Sequence, residues 1–361
     1  MTFPTDTGLE QLTAEAVDLL SGLIRLPSVS RDEARAADFI EDFMRRNGLD
    51  VQRDGNNVWS CARGFREGRP TLLLNAHLDT VKPVAGWQRD PFTPTLEGDR
   101  LYGLGSNDCG GGLVALLQTF RLLEKAEDLP FNLLYLASAE EEVSGRNGIE
   151  RALKQLPPPD VAIVGEPTGL QPAIAEKGLM VLDVTATGRS GHAARDEGLN
   201  AIYEALPDIH WFQTHRFPRT SPLLGSVRMT VTVIQAGTQH NVVPDRCTFT
   251  VDVRSNECYT NIELLDEIRK NIHSEVQARS TRLNSSHIPA DHPLVVRCVE
   301  LGGRPYGSPT LSDQALLSCP SLKLGPGDSA RSHTADEYIK TGEIRDGIAF
   351  YYQLLKGLKR I

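Results

Sequence analysis

Imidazole and carboxylate side chains recur where apolar runs stop: His77 and Asp79, Asp108, Glu140 to Glu142, Glu166 and His333. Taken together, His77, Asp108, Glu142, Glu166 and His333 offer two imidazoles and three carboxylates. That hard-to-borderline donor set suits two divalent, zinc-like ions bridged by one carboxylate, and it leaves Glu141 as a free carboxylate. His77 and Asp79 stand two apart, so in an extended segment both point to one side. There the Asp79 carboxylate can accept the second ring N–H and fix the tautomer of a metal-bound imidazole.

Each residue also has a plainer reading when taken singly. His77 could be a loop histidine beside a turn Asp. Asp108 precedes Gly110-Gly111-Gly112 and an apolar helix, where it could cap the free N–H groups. Three acids at Glu140 to Glu142 could sit at a helix start, where the dipole favours them, although three adjacent like charges repel unless cations or water compensate. Glu166 before Pro167, and His333 among Ser332, Thr334 and Asp336, could be solvated loop residues.

The elements that would position these groups follow a regular rhythm. Short apolar runs make buried strands, and ligand groups gather outside strand carboxyl ends in open α/β sheets. Runs at 71–74, 131–136, 161–164 and 321–324 lead into His77 and Asp79, into Glu140 to Glu142, into Glu166, and toward His333. Helices are expected over 13–24, 34–47, 113–123, 293–301 and 342–358, with further strands at 51–53 and 58–63. After Pro172 the pattern changes to a strand at 178–187, a helix at 200–215, strands at 226–235 and 246–254, and a helix at 261–277. A closing strand is expected at 281–283. This β-α-β-β-α-β unit reads as an insertion, 176–288, between two parts of one catalytic domain, 1–175 and 289–361, because His333 must join His77.

At 361 residues, 40% hydrophobic and 24% charged, the chain can hold two domains. A net charge of −9 without basic patches argues against nucleic acid and anionic membrane as partners, and for a small soluble substrate. Six scattered cysteines without C-x-x-C spacing read as reduced thiols. No basic n-region opens the chain, and no stretch nears the roughly 20 apolar residues of a membrane span. A cytoplasmic location is expected.

Five motifs in order carry a family resemblance: Asn75-Ala76-His77-Leu78-Asp79, Gly105-Ser106-Asn107-Asp108-Cys109-Gly110, Ser138-Ala139-Glu140-Glu141-Glu142, Gly165-Glu166-Pro167-Thr168 and Ser332-His333-Thr334-Ala335-Asp336-Glu337. The chain resembles the M20 family of zinc aminoacylases and peptidases, most closely its branch that deacetylates ornithine- or citrulline-like amino acids in arginine biosynthesis. The resemblance implies a mixed-sheet α/β catalytic domain, an inserted α+β lid through which chains form homodimers, and two zinc ions per chain, with cobalt a possible substitute. It makes Asp108 the bridging carboxylate, with His77 and Glu166 on one ion and Glu142 and His333 on the other. Asp79 becomes the partner that orients His77, and Glu141 the general base. In Gly188-Arg189-Ser190-Gly191-His192, the histidine matches one that in several relatives stabilises the oxyanion in the partner's site; its alternative is a surface turn. Asn241 and Arg254 match substrate-binding positions, with a salt bridge inside the insertion as the alternative for Arg254. The segments 308–313 and 325–329, including Gly325, flank the expected site and could read the polar end of a substrate. Desuccinylation of succinyl-diaminopimelate, dipeptide or carboxypeptide hydrolysis, and a metal-free scaffold are the alternative functions. Glu140, where many relatives carry Asp, and Cys109 are departures. A thiol beside the metal would be exposed to oxidation or alkylation.

Overall fold

The four apolar runs that precede the acidic and imidazole residues become adjacent parallel strands. In the computed structural model the described residues are 6–195 and 197–361, and they divide into two units. The first takes the chain up to Ile174, Ile288–Tyr306 and Ser312–Ile361; the second takes Ala175–His287 and Gly307–Leu311. Residues 307–311, which the sequence grouped with the first unit, belong to the second because Gly307 lies against Leu223 and Leu224, leaving no room for a Cβ.

In the first unit the sheet runs Val51–Asp54, Asn57–Cys61, Asn132–Ser138, Thr71–His77, Val161–Val164, Ser321–Lys323. The last four are mutually parallel, while Asn57–Cys61 runs antiparallel to Asn132–Ser138 and makes the sheet mixed. Every residue of Thr71–His77 and Asn132–Ser138 is buried. Burial on both faces is why these strands read as continuous apolar runs rather than alternation. Leu72, Leu74 and Ala76 face the larger core, in which helix Gly111–Leu123 is sunk with helices Asp6–Ile24 and Thr341–Gly357 against it. Leu73, Leu134, Leu136 and Ala162 face the other way, onto Ile149 and Ala152. The opening helix starts at Asp6, earlier than expected, and buries Leu9 in the core.

The second unit is a four-stranded antiparallel sheet in the order Arg228–Ala236, Arg246–Ser255, Gly178–Thr187, Glu275–Ala278, with helices Ala201–Thr214 and Asn261–Asn271. Gly178–Thr187 alternates in burial, as a strand with one covered face must. Two expectations are corrected here. The last helix stops at Asn271 rather than 277, because the Asp208 carboxylate accepts the N–H groups of His273 (3.1 Å) and Ser274 (2.8 Å) and turns the chain. The closing strand is therefore Glu275–Ala278, which carries Val276 into the core, and not 281–283.

Candidate metal centre

Strand ends set the site. His77 closes Thr71–His77, and Glu166 follows Val161–Val164 after Gly165. Glu141 and Glu142 form one 3-10 turn, Glu141–Val143, after Asn132–Ser138. Asp108 lies in the kinked turn Ser106–Gly110 and His333 just past the turn Ser329–Arg331. Helix Gly111–Leu123 has no side-chain cap bond, so the capping role open to Asp108 is not used. Glu140, at φ 54°, swings its carboxylate to the Asn147 amide at 2.9 Å and leaves the other two acids to the site.

The two oxygens of Asp108 face two different imidazoles. Oδ1 lies 3.3 Å from His77 Nε2 and Oδ2 lies 3.6 Å from His333 Nε2. Around the first, Glu166 Oε1 is 3.7 Å from His77 Nε2; around the second, Glu142 Oε2 is 3.0 Å from His333 Nε2. One ligand atom each from His77, Asp108 and Glu142 lie within 4.8 Å of one another. Glu141 Oε2 stands 4.0 Å from His77 Nε2, beside this set.

Packing these groups without a counter-cation is electrostatically costly. Burial, and then the neighbouring Glu166, Asp313 and Glu142 charges, push Glu141 well above the usual carboxylate range, although His77 opposes the shift. Burial followed by Asp108 pushes Glu166 up to about 8. The hydrogen bond to Glu142 raises His333 to about 9. Burial opposes a charge on His77, yet Cys109, Asp108 and Glu141 outweigh it and hold the ring well above its ordinary range. Glu166 Oε1 is buried with no hydrogen-bond partner. An orphaned carboxylate oxygen amid like charges is what a divalent cation would satisfy, so these residues fit a metal. His77, Asp108, Glu142, Glu166 and His333 would hold it.

A model of peptidase family M20/M25/M40 matches residues 73–357. The chain belongs to this family. Among curated relatives it is 30% identical, over 96% of its own length and 99% of theirs, to a Mycobacterium tuberculosis protein named for succinyl-diaminopimelate desuccinylase DapE. It is 28% identical to the acetylornithine deacetylase of Proteus mirabilis, covering 90% of this chain and 91% of that one. Among solved structures it is similar to aminopeptidase PepT of Bacillus cereus, with TM-score 0.77, 17% identity, and coverage of 96% and 99%. The Bacillus subtilis YXEP protein, a dinuclear metal-binding peptidase of the family, gives TM-score 0.74 at 15% identity, over 98% of this chain and 100% of that one. This M20 chain is therefore a metal-dependent hydrolase with the family's mixed α/β fold.

Asp79 serves this M20 site differently from the sequence expectation. Its backbone carbonyl, not its carboxylate, lies within hydrogen-bond distance of His77 Nδ1, at 2.8 Å against 3.6 Å for Oδ1. The carboxylate instead accepts the N–H groups of Glu141 (3.0 Å) and Glu142 (3.2 Å) and the Ser30 hydroxyl (2.6 Å). One residue thus orients His77 through its main chain and the Glu141–Glu142 turn through its side chain. Cys109 is corrected too: it is buried, its Sγ accepts the His77 backbone N–H at 3.2 Å, and burial raises the thiol strongly. A thiol so held is closed to oxidants and alkylating reagents. Gly325 supports the site rather than reading substrate at its Cα. A Cβ there would come 2.5 Å from the Glu166 carbonyl, and its N–H donates to Thr168 Oγ1 at 3.1 Å, fastening the loop that presents Glu166.

Two buried carboxyl groups escaped the sequence reading. Glu337 accepts three backbone N–H groups, from Gly105 (2.9 Å), Asn107 (2.8 Å) and Asp108 (2.9 Å), and so holds the Asp108 turn. Burial takes it to about 7 despite those bonds. Its place in the His333 motif was the only signal. Asp313 is buried against Ser138, whereas the sequence had marked its segment, 308–313, only as one that could read the polar end of a substrate.

In the second unit His192 and Asn241 are neighbours. Gly191–His192 pairs with Val242–Val243, and the Asn241 carbonyl accepts the Ala193 N–H at 3.0 Å. His192 is exposed and its Nδ1 accepts the Ala194 N–H at 3.1 Å, which puts the proton of a neutral ring on Nε2. Arg254 makes the salt bridge that was its alternative, with Nε and Nη2 on Asp252 at 2.8 and 3.1 Å.

Proposed function

We propose that the chain is a dizinc deacylase that removes an acetyl or similar acyl group from the α-amine of an ornithine- or citrulline-like amino acid, in the cytoplasm and in arginine biosynthesis. The observation that carries the two-ion reading is the Asp108 carboxylate, whose two oxygens face His77 and His333 separately. Zinc held there would polarise the scissile carbonyl and make the attacking water more acidic. Glu141, close to the ligands yet outside the paired set, takes the proton of that water as it attacks the acyl carbon. The amide C–N bond then breaks, and Glu141 returns the proton to the departing amine. In the metal-free protein burial raises the affinity of this carboxylate for a proton. The Asp79 carboxylate holds the Glu141 backbone N–H and so fixes the base relative to the ligands.

His192, through Nε2–H, would donate to the developing oxyanion from a partner chain, and Asn241 and Arg254 would bind substrate. A homodimer through the inserted domain is supported by the strand Arg228–Ala236, which stands at the end of its sheet with Val233 and Ile234 exposed, and by exposed Tyr203 and Leu206 on Ala201–Thr214. Unpaired apolar edges of this kind pair with another copy or aggregate.

Similarity to acetylornithine deacetylases favours the acetylated substrate, and the similarity to the desuccinylase-named protein makes an N-succinylated amine the second reading. Turnover of N-acetylornithine, N-acetylcitrulline, N-succinylcitrulline, N-succinyl-diaminopimelate and dipeptides separates them. Fastest release of acetate from the first two supports the proposal, and preference for a succinylated compound or a dipeptide overturns it.

A further inference from the structure

Asp313 begins the short turn Asp313–Leu316 of the first unit, 175 residues beyond Ser138 in sequence. The residue is 3% exposed, and its Oδ2 accepts the Ser138 hydroxyl at 2.6 Å. The orientation of the Asn75 amide that satisfies both of its ends puts the NH2 group 3.2 Å from the same oxygen. Both partners are fully buried.

Their places in the sheet give this contact its meaning. Asn75 precedes His77 by two residues, so the two side chains share a face of the strand. Ser138 is the register partner of His77 on the neighbouring parallel strand, and it lies three residues before Glu141. One carboxylate oxygen therefore gathers the side chain behind His77 and the side chain beside it, at the point where the second strand releases the chain toward Glu141. The segment around Asp313 has no open face for a substrate at this residue, in contrast to the reading its sequence invited.

We infer that Asp313 is a positioning residue, which sets the His77 imidazole and the Glu141 turn relative to each other through Asn75 and Ser138. The inference rests on the proposed metal centre but not on the identity of the substrate. Removing the carboxylate takes from both buried donors their shared acceptor and leaves the Ser138 hydroxyl the longer contact to the Ala76 carbonyl at 3.4 Å, and both strands are free to shift by the fraction of an ångström that ligand geometry notices.

The test is a cobalt titration of the metal-free full chain followed by visible absorption, for wild type, Asp313→Ala, Asp313→Asn and Ser138→Ala. Loss of outer partners costs metal sites about 10- to 100-fold in affinity. Asp313→Ala should weaken cobalt binding by about tenfold or more and alter the ligand-field bands, while Asp313→Asn, which keeps an acceptor oxygen, should stay within about threefold of wild type. On the best acylated substrate Asp313→Ala should lower kcat by about 10²-fold with KM nearly unchanged, since the base and not the substrate contact is displaced. Wild-type cobalt affinity and spectrum in Asp313→Ala would overturn the inference, as would Asp313→Asn being as impaired as Asp313→Ala. If Asp313→Ala does not fold, Ser138→Ala decides: weakened cobalt binding supports the tether and wild-type binding overturns it. A chain that binds cobalt in this pattern but hydrolyses no acylated amino acid contradicts the proposed function and leaves the role of Asp313 standing.

Discussion

In the first unit, imidazoles and carboxylates converge on Asp108 largely from the ends of neighbouring parallel strands, with His77 buried, Asp108, Glu142 and Glu166 partly buried and His333 exposed. In the second, exposed His192 lies on a pair of two-residue strands, exposed Asn241 just precedes one of them, and Arg254 is occupied by Asp252. Buried like charges shift each other's proton affinities and demand a cation; exposed groups on a short strand pair do neither. The chemistry that cleaves a bond therefore belongs to the first unit. On the proposed function, the groups of the second unit would add contacts to the substrate.

That division can be broken most severely at Glu141. Glu141→Ala should keep its metal and lose about 10²–10⁴-fold in kcat, read by steady-state turnover beside a metal analysis. Near-normal turnover would move the base elsewhere. A smaller but still large loss is expected from His192→Ala, on the order of 10²-fold, the scale of one oxyanion donor. Mixing inactive Glu141→Ala and His192→Ala chains should then restore partial turnover in heterodimers, because each supplies what the other lacks. Absence of recovery, with subunit exchange confirmed, would remove His192 from the partner's site.

The smallest effect sharpens the contrast through pH. Asp313 and Glu337 are raised to about 7 and Glu166 to about 8, each first by burial. The folded metal-free protein thus holds protons that an unfolded chain, with carboxyls near about 4, has released. More protons in the folded state mean that stability falls as pH rises, from about 4 up through about 8. Thermal melts of the metal-free protein should show Tm declining over that window. Zinc, which favours ionised carboxylates, should make the slope shallower by removing the share of Glu166. A metal-free protein whose Tm rises from pH 5 to 8 would contradict the buried charge cluster.

Much of the site was legible because its geometry is local. His77, Glu142 and Glu166 each follow an apolar run by a few residues, so the sequence carries both the strand and its ligand. Asp79 was half legible: spacing put it beside His77, but only the fold shows its carboxylate turned to the Glu141 and Glu142 amides. Asp313 and Glu337 were not legible as site residues, since their partners lie 175 and about 230 residues away and no periodicity encodes such contacts. The strand Glu275–Ala278 was missed for a related reason. Its single buried apolar residue, Val276, continued the preceding helical pattern, and the turn that ends the helix depends on distant Asp208.

The central claim is that Asp108 joins two metal positions. Zinc titration of the metal-free chain, with bound metal counted per chain, tests it most directly. The account predicts two zinc ions in wild type and one retained tightly in His333→Ala, with both lost or greatly weakened in Asp108→Ala. A single ion in wild type, or an Asp108→Ala chain that still binds two, would contradict it.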